Sequence, residues 1–226
     1  MDILSIVVTL FAVLFAITVH EAAHGWAAWK MGDPTAHAMG RVSLNPKVHI
    51  DPFGTILLPI ILVVIGAPAF GWAKPVPVNP HNLKNPRRDN LWISLAGPAS
   101  NVTVAVAALL LLLVLKVLSP GLTGFLRGFL IYQQKFPRGF FPLEGLALIL
   151  FFAILVNAYL AVFNLIPVPP LDGGGILAGL LSDRGAEKLD RIRPYGFFII
   201  LALIYLRVLE VIIYPIRLAI FTLVIL

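Results

Sequence analysis

The sequence of 226 residues contains no cysteine and few charged side chains. The absence of cysteine excludes disulfides, thiolate metal ligands and cysteine nucleophiles. Charged residues make up 12% of the chain, which is roughly half the share that is usual in soluble domains. Any metal site must therefore use histidine, aspartate or glutamate.

The chain is rich in apolar residues, which make up 59% of it, and its mean hydropathy is +0.94. We interpret it as a multi-pass integral membrane protein, all-α, in a single domain over residues 1–226 with five to six spanning or half-spanning helices. The last apolar stretch is either one tilted helix or two pieces divided near Pro215. Residues 133–145 are predicted to lie along the membrane interface. The stretches that approach or exceed the roughly 20 residues needed to cross a bilayer core are residues 3–29, 54–70, 91–118, 143–165 and 195–226.

The net charge of +6 comes from basic residues scattered through short loops. Such a distribution favours contact with lipid headgroups of the bilayer and argues against nucleic acid as a partner. Counted loop by loop, lysine and arginine show no clear bias toward one side of the membrane, so the charges do not predict the orientation of the chain.

Near the end of the first apolar stretch lies the sequence His20-Glu21-Ala22-Ala23-His24. On a helix, residues four apart lie on one face, so both imidazoles could reach one metal ion. Glu21 between them could take a proton from a water that the metal activates. The alternative is that the three side chains pack against other helices. Ionisable groups are costly inside a membrane and are by default functional there, which favours the metal site.

A catalytic zinc normally has three protein ligands, so a third residue is needed besides the two histidines. We favour Asp172, which follows a predicted spanning helix in "NLIPVPPLDGGG", residues 164–175, where prolines and glycines interrupt the helix. Asp172 could equally cap the short helix that follows it. The other candidates are His37, His49, His81 and Asp51.

Several motifs together resemble the site-2 protease family of intramembrane zinc metalloproteases, in a compact form without PDZ or CBS domains. They are His20-Glu21-x-x-His24, Asn45-Pro46…Asp51-Pro52, Gly97-Pro98-Ala99-Ser100-Asn101 and Asn164…Leu171-Asp172-Gly173. The resemblance implies that His20, His24 and Asp172 bind one Zn²⁺ per chain and that Glu21 is the general base. It also implies that Asn164 polarises the scissile carbonyl, although an amide at a helix end could simply bond local backbone.

The same resemblance implies an endopeptidase that cleaves single-pass or otherwise membrane-anchored proteins within or near their spanning helices. Its substrates would be pre-cut by another protease. Two rival functions remain: a divalent-metal transporter, and a catalytically idle membrane chaperone. A transporter would gain nothing from Glu21 and would show acidic residues on several helices. An idle relative would lack a ligand or the base, and none is missing.

Residues 40–51, "GRVSLNPKVHID", alternate apolar and polar side chains on both sides of Asn45-Pro46. This pattern predicts a short β-hairpin, and the resemblance implies that it is membrane-associated and lies beside the active site. Its free edge could pair with an unwound substrate. The alternative is a simple connector at the interface.

The segment from Gly97 to Asn101 begins a predicted spanning helix. Asn101-Val102-Thr103 fits a glycosylation acceptor, but its place at the start of an apolar stretch makes it inaccessible. We interpret Gly97 to Asn101 as structural support for the helix that carries the histidines, and the alternative is a contact with the substrate.

Overall fold

The structure, a computed structural model, describes residues 3–66, 71–132 and 141–226. Within these ranges the secondary structure is helical and includes no β-strand. The α-helices, in chain order, are α1 Ile3–Lys30, α2 Thr35–Ala38, α3 Leu58–Val64, α4 Pro86–Leu118, α5 Gly121–Leu130, α6 Pro142–Asn164, α7 Asp172–Leu180, α8 Asp183–Ile192, α9 Gly196–Tyr205 and α10 Val208–Ile225.

Four of the described helices are long and apolar enough to cross a membrane: α1, α4, α6 and α10. This confirms a predominantly helical membrane protein. Helix α3 lies in the predicted stretch 54–70, and α9 shares the stretch 195–226 with α10; their 7 and 10 residues are too few to span. Pro215 lies inside α10, and the division between α9 and α10 occurs instead at Arg207, whose φ of 56° places it in the left-handed region.

The described residues form two compact units. The first comprises residues up to 16, 101–164 and 197–226. Its apolar core includes the fully buried Leu112, Leu126 and Val224. The Asn101 side chain makes buried hydrogen bonds in this unit: its amide donates to the Ala16 carbonyl at 3.1 Å and to Asn157 Oδ1 at 2.8 Å. Asn101 is fully buried, which agrees with the prediction that the segment from Gly97 to Asn101 supports the helix that carries the histidines.

The second unit comprises residues 17–100 and 165–196. Its small apolar core contains Ala27, Ala28, Leu83 and Ile93. This unit holds His20, His24 and Asp172, together with the loops that follow α1.

Residues 40–51 do not form the predicted β-hairpin. Asn45-Pro46 starts a turn of 3-10 helix, Pro46–Val48, in which Asn45 Oδ1 accepts the Lys47 N–H. The buried imidazole of His49 bonds the Ser43 carbonyl oxygen at 2.8 Å. Side chains therefore satisfy backbone groups that a hairpin would pair with each other, which is why alternation of apolar residues did not produce strands here.

An extended segment, residues 71–79, runs beside this region, and we name it the strap. Near its middle the Lys74 N–H donates to the His49 carbonyl at 2.9 Å, and the buried Arg41 guanidinium donates to the Lys74 carbonyl at 2.5 Å. At its end the Asn79 N–H donates to Asp33 Oδ2 at 2.7 Å. Buried charged side chains therefore hold the strap at Lys74 and at Asn79.

Asp33, just after α1, accepts hydrogen bonds from several groups. Its oxygens receive the Asn79 N–H, the Asn82 amide at 2.8 Å, and both the N–H and the hydroxyl of Thr35. Burial by itself would raise the pKa of Asp33, but these hydrogen bonds outweigh it and hold the pKa below its ordinary value. The charged form of Asp33 therefore stabilises the folded chain.

Of residues 133–145, the first eight lie outside the described residues, so the predicted interfacial segment there stays a prediction.

Replacing Asp33 by asparagine should destabilise the chain by about 1–3 kcal/mol at neutral pH, because one accepting oxygen becomes a donor that faces other donors. The folded pKa is lowered, so this stabilisation is complete above the ordinary value of 3.8 and is lost as the pH falls below it. The difference in melting temperature between the two proteins in detergent should therefore shrink on acidification. Asp190→Asn, on an exposed residue paired with Arg193, should change little. An equal effect of both substitutions would contradict the assignment.

Candidate metal centre

Helix α1 places His20 and His24 on one face, as their spacing predicted. The two side chains are buried, with 5% and 9% of their surface exposed. Their Nε2 atoms lie 3.0 Å apart. Two ring nitrogens in apolar surroundings thus point at the same position.

Asp172 brings a carboxylate to the same position from the start of α7. Its Oδ2 lies 3.0 Å from His20 Nε2, and its Oδ1 lies 3.3 Å from His24 Nε2. One donor atom from each of the three residues lies within 4.8 Å of the others. The carboxylate makes no capping hydrogen bond to α7, whose N-cap is Leu171. Of the two roles considered for Asp172, the structure therefore supports convergence with the histidines.

The tautomer of His24 follows from its second ring nitrogen. His24 Nδ1 lies 2.7 Å from the carbonyl oxygen of Ile93. A carbonyl oxygen can only accept, so Nδ1 carries the proton and the neutral ring keeps a lone pair on Nε2. Histidines that bind metal are commonly held in this way. Two imidazoles and a carboxylate, with no thiolate, form a donor set that fits zinc.

Close packing against the imidazoles, at the side of His24 Nε2, depends on Gly97 of α4. A Cβ atom at this position would lie 2.7 Å from Cε1 of His20 and closer still to Nε2 of His24. Gly175 of α7 similarly packs against Ser94, with no room for a side chain. These glycines let α4 approach α1 and α7 closely enough for the three donors to meet.

Glu21, next to His20, is half-buried. Its Oε2 accepts a hydrogen bond from the backbone N–H of Val76 in the strap, at 3.1 Å. A carboxylate has two oxygens, so Oε1 remains to accept a second hydrogen bond.

The other candidate ligands have different positions. His37 stacks on Trp29, with ring centroids 4.3 Å apart, and His49 bonds Ser43. Asp51 caps the π-helical turn Pro52–Leu57 through the N–H groups of Phe53 and Gly54. His81 is exposed on a 3-10 turn. Among the described residues, the group that could hold a metal is His20, His24 and Asp172.

Asn164 ends α6, in the first unit. Its side-chain amide donates to the Leu160 carbonyl in the same helix at 3.0 Å. This bond to local backbone is the alternative role that was considered for Asn164. The side-chain amide has a second N–H besides the one that makes this bond.

Sequence reasoning missed two backbone groups, the carbonyl of Ile93 and the N–H of Val76. Every residue carries these groups, so no motif distinguishes them. The proline on each side of Val76 was a weak signal, because it leaves Val76 as the single backbone donor of the stretch Pro75-Val76-Pro77.

Comparison with known proteins assigns the chain to a family. The sequence model of peptidase family M50 matches residues 8–206. The chain belongs to peptidase family M50. This confirms the resemblance to the site-2 proteases, and with it a zinc metalloprotease of the membrane.

Relatives of this M50 peptidase have names that describe zinc metalloproteases. YwhC of Bacillus subtilis is 36% identical over 195 residues, which cover 84% of this chain and 76% of YwhC. Rip2 of Mycolicibacterium smegmatis is 29% identical over 191 residues, covering 84% of this chain and 64% of Rip2. The match thus spans less than two thirds of the length of Rip2. No solved structure matches the chain.

Gly97→Ala should lower zinc affinity by about tenfold to hundredfold or more, because the added methyl group displaces both imidazoles. Gly124→Ala is the matched control, since this helical glycine has open space around its Cα. Zinc per chain, measured on purified protein across a series of chelator concentrations, should fall for the first variant and stay unchanged for the second. Full zinc retention by Gly97→Ala would contradict the packing argument.

Proposed function

We propose that this M50 peptidase hydrolyses peptide bonds of membrane-anchored proteins within or near their spanning segments. The observation that carries the proposal is the meeting of His20, His24 and Asp172 beside Glu21, on a helix that is long and apolar enough to cross a membrane. Counted back from Lys30 at the interface, His24 lies about 9 Å and His20 about 15 Å deep. A submerged site of this kind suits a substrate that lies in the bilayer.

In this proposal His20, His24 and Asp172 are the protein ligands of one zinc ion. Zinc with three protein ligands, when bound, polarises a carbonyl and lowers the pKa of a water molecule to about 7. Glu21 is the general base: it accepts the proton of the attacking water and returns it to the leaving amine as the C–N bond breaks. Asn164 donates its second amide N–H to the developing oxyanion.

The substrates we propose are single-pass membrane proteins, pre-cut by another protease. A helix holds its carbonyl groups in its own hydrogen bonds, so the substrate must be extended locally before it is cleaved. Because residues 40–51 form no hairpin, the proposal includes no pairing between the extended substrate and a strand of this chain.

The rival functions fit the site less well. Among the described residues there is a single candidate cluster of metal ligands, whereas a metal transporter would be expected to have acidic residues on several helices. A catalytically idle chaperone would be expected to lack a ligand or the base. Glu21 lies between the two histidines, so this chain gives no such sign.

Glu21→Gln should leave zinc near one per chain and slow cleavage by roughly 10²–10⁴-fold, because an amide cannot accept the proton. The assay uses purified protein in liposomes with a membrane-anchored reporter that has one spanning helix, with and without chelator. The control is Glu187→Gln on α8, which is exposed and should cleave normally. Normal cleavage by Glu21→Gln, or cleavage that survives zinc removal, would overturn the proposed mechanism.

Asp172→Ala and Asn164→Ala should behave differently, because the first residue is proposed to bind zinc and the second to stabilise the oxyanion. Asp172→Ala should lose zinc, since the histidines cannot replace an anionic ligand. Asn164→Ala should keep zinc near one per chain and slow single-turnover cleavage by about 10²–10³-fold. Full zinc in Asp172→Ala would exclude it as the third ligand, and zinc loss in Asn164→Ala would make Asn164 a ligand or a support for one.

A further inference from the structure

The strap contacts α1 through the Val76 N–H, which donates to Oε2 of Glu21 at 3.1 Å. We propose that Val76 is a positioning residue, whose backbone N–H holds Glu21 in the orientation in which its other oxygen can accept the proton of water. This inference rests on the proposed role of Glu21 as the base.

The strap is built to present this single donor. Val76 lies between Pro75 and Pro77, neither of which has a backbone N–H, and each of which restricts φ. The stretch is therefore stiff and extended, with one N–H available to donate. A donor on a stiff segment orients a carboxylate at a smaller entropic cost than one on a flexible loop.

The strap is held on both sides of Val76. Two residues before it, Arg41 contacts the Lys74 carbonyl, and Arg41 also donates to the Pro75 carbonyl at 3.2 Å. Three residues after it, Asp33 accepts the Asn79 N–H. Arg41 and Asp33 are themselves 4% and 0% exposed. A segment anchored in this way can hold the base in a fixed position. A segment that blocked the site reversibly would instead need a free end or a hinge.

The strap packs close to α1 beside Gly25, which lies one turn after Glu21 on the same face of the helix. A Cβ atom at Gly25 would be crowded by Val42, 3.1 Å from its Cγ2, and would lie at an ordinary van der Waals distance of 3.4 Å from Cγ1 of Val76. The side chain of Val76 therefore lies close to α1, next to the carboxylate that its N–H reaches.

Val76→Pro removes the donor in a stretch that already favours the proline conformation, while Val76→Ala shortens the side chain and keeps the donor. In the liposome assay, Val76→Pro should lower kcat by about tenfold to hundredfold, the scale of one hydrogen bond to a charged group. KM and zinc content should stay near the values of the unmodified protein. Val76→Ala should retain nearly full kcat.

The outcomes separate this inference from the proposed function. If Glu21→Gln is inactive while Val76→Pro cleaves at the normal rate, Glu21 is the base and Val76 does not position it. If Glu21→Gln cleaves normally, the proposed function itself fails. A faster Val76→Pro would identify the strap as inhibitory and overturn the inference. A parallel loss of kcat in Val76→Ala, or loss of zinc in Val76→Pro, would assign Val76 to packing alone and overturn it too.

A second measurement applies even if Val76→Pro does not fold. In protein labelled with ¹⁵N-valine, the Val76 amide signal is identified by its disappearance in Val76→Ala. That signal should move upfield in Glu21→Gln, because a neutral amide oxygen is a weaker acceptor than a carboxylate. It should not move in Glu187→Gln. An unmoved signal in Glu21→Gln would show that the contact does not form and would overturn the inference.

Discussion

A polar group buried away from water must find its partner within the protein, and this constraint organises the second unit of the chain. Five ionisable side chains among the described residues are buried, and each has a partner. The histidines of α1 meet Asp172, Arg41 binds carbonyls of the strap, and Asp33 binds amides after it. The buried ionisable residues are His20, His24, Asp33, Arg41 and His49. Most of these contacts join segments far apart in the sequence, so the polar groups also determine how the loops lie against α1.

The same constraint explains why small residues accompany the reactive ones. Polar atoms can meet inside an apolar unit only if the backbones that carry them come close together. Gly97 allows α4 to lie against the two imidazoles, and Gly175 allows α7, which begins with Asp172, to lie against Ser94 of α4. The glycines have no chemistry of their own, yet the distances between the reactive groups depend on them.

Glu21 lies between two kinds of support that have different physical origins. On one side it neighbours the imidazoles, whose placement follows from the period of α1 and from the hydrogen bond between His24 and the Ile93 carbonyl. On the other side it contacts the strap, whose stiffness comes from proline. The proposed role of Glu21 as a base requires a defined direction of its carboxylate, and neighbours on both sides support such a direction.

The sequence by itself determined the features that depend on local spacing and composition. Apolar length predicted the spanning helices, and the helical period put His20 and His24 on one face, because both properties are set within a single segment. The sequence singled out Asp172 from its place after an apolar helix and left its role open. Only the tertiary structure decided that its carboxylate turns to the histidines rather than to its own helix, because that choice depends on how closely α4 and α7 pack. The alternation in residues 40–51 predicted strands wrongly, since a strand needs a partner and here side chains and the strap take the backbone groups instead. The contact between Val76 and Glu21 joins residues 55 positions apart through a backbone N–H, and a group that every residue but proline carries leaves no signature in a sequence.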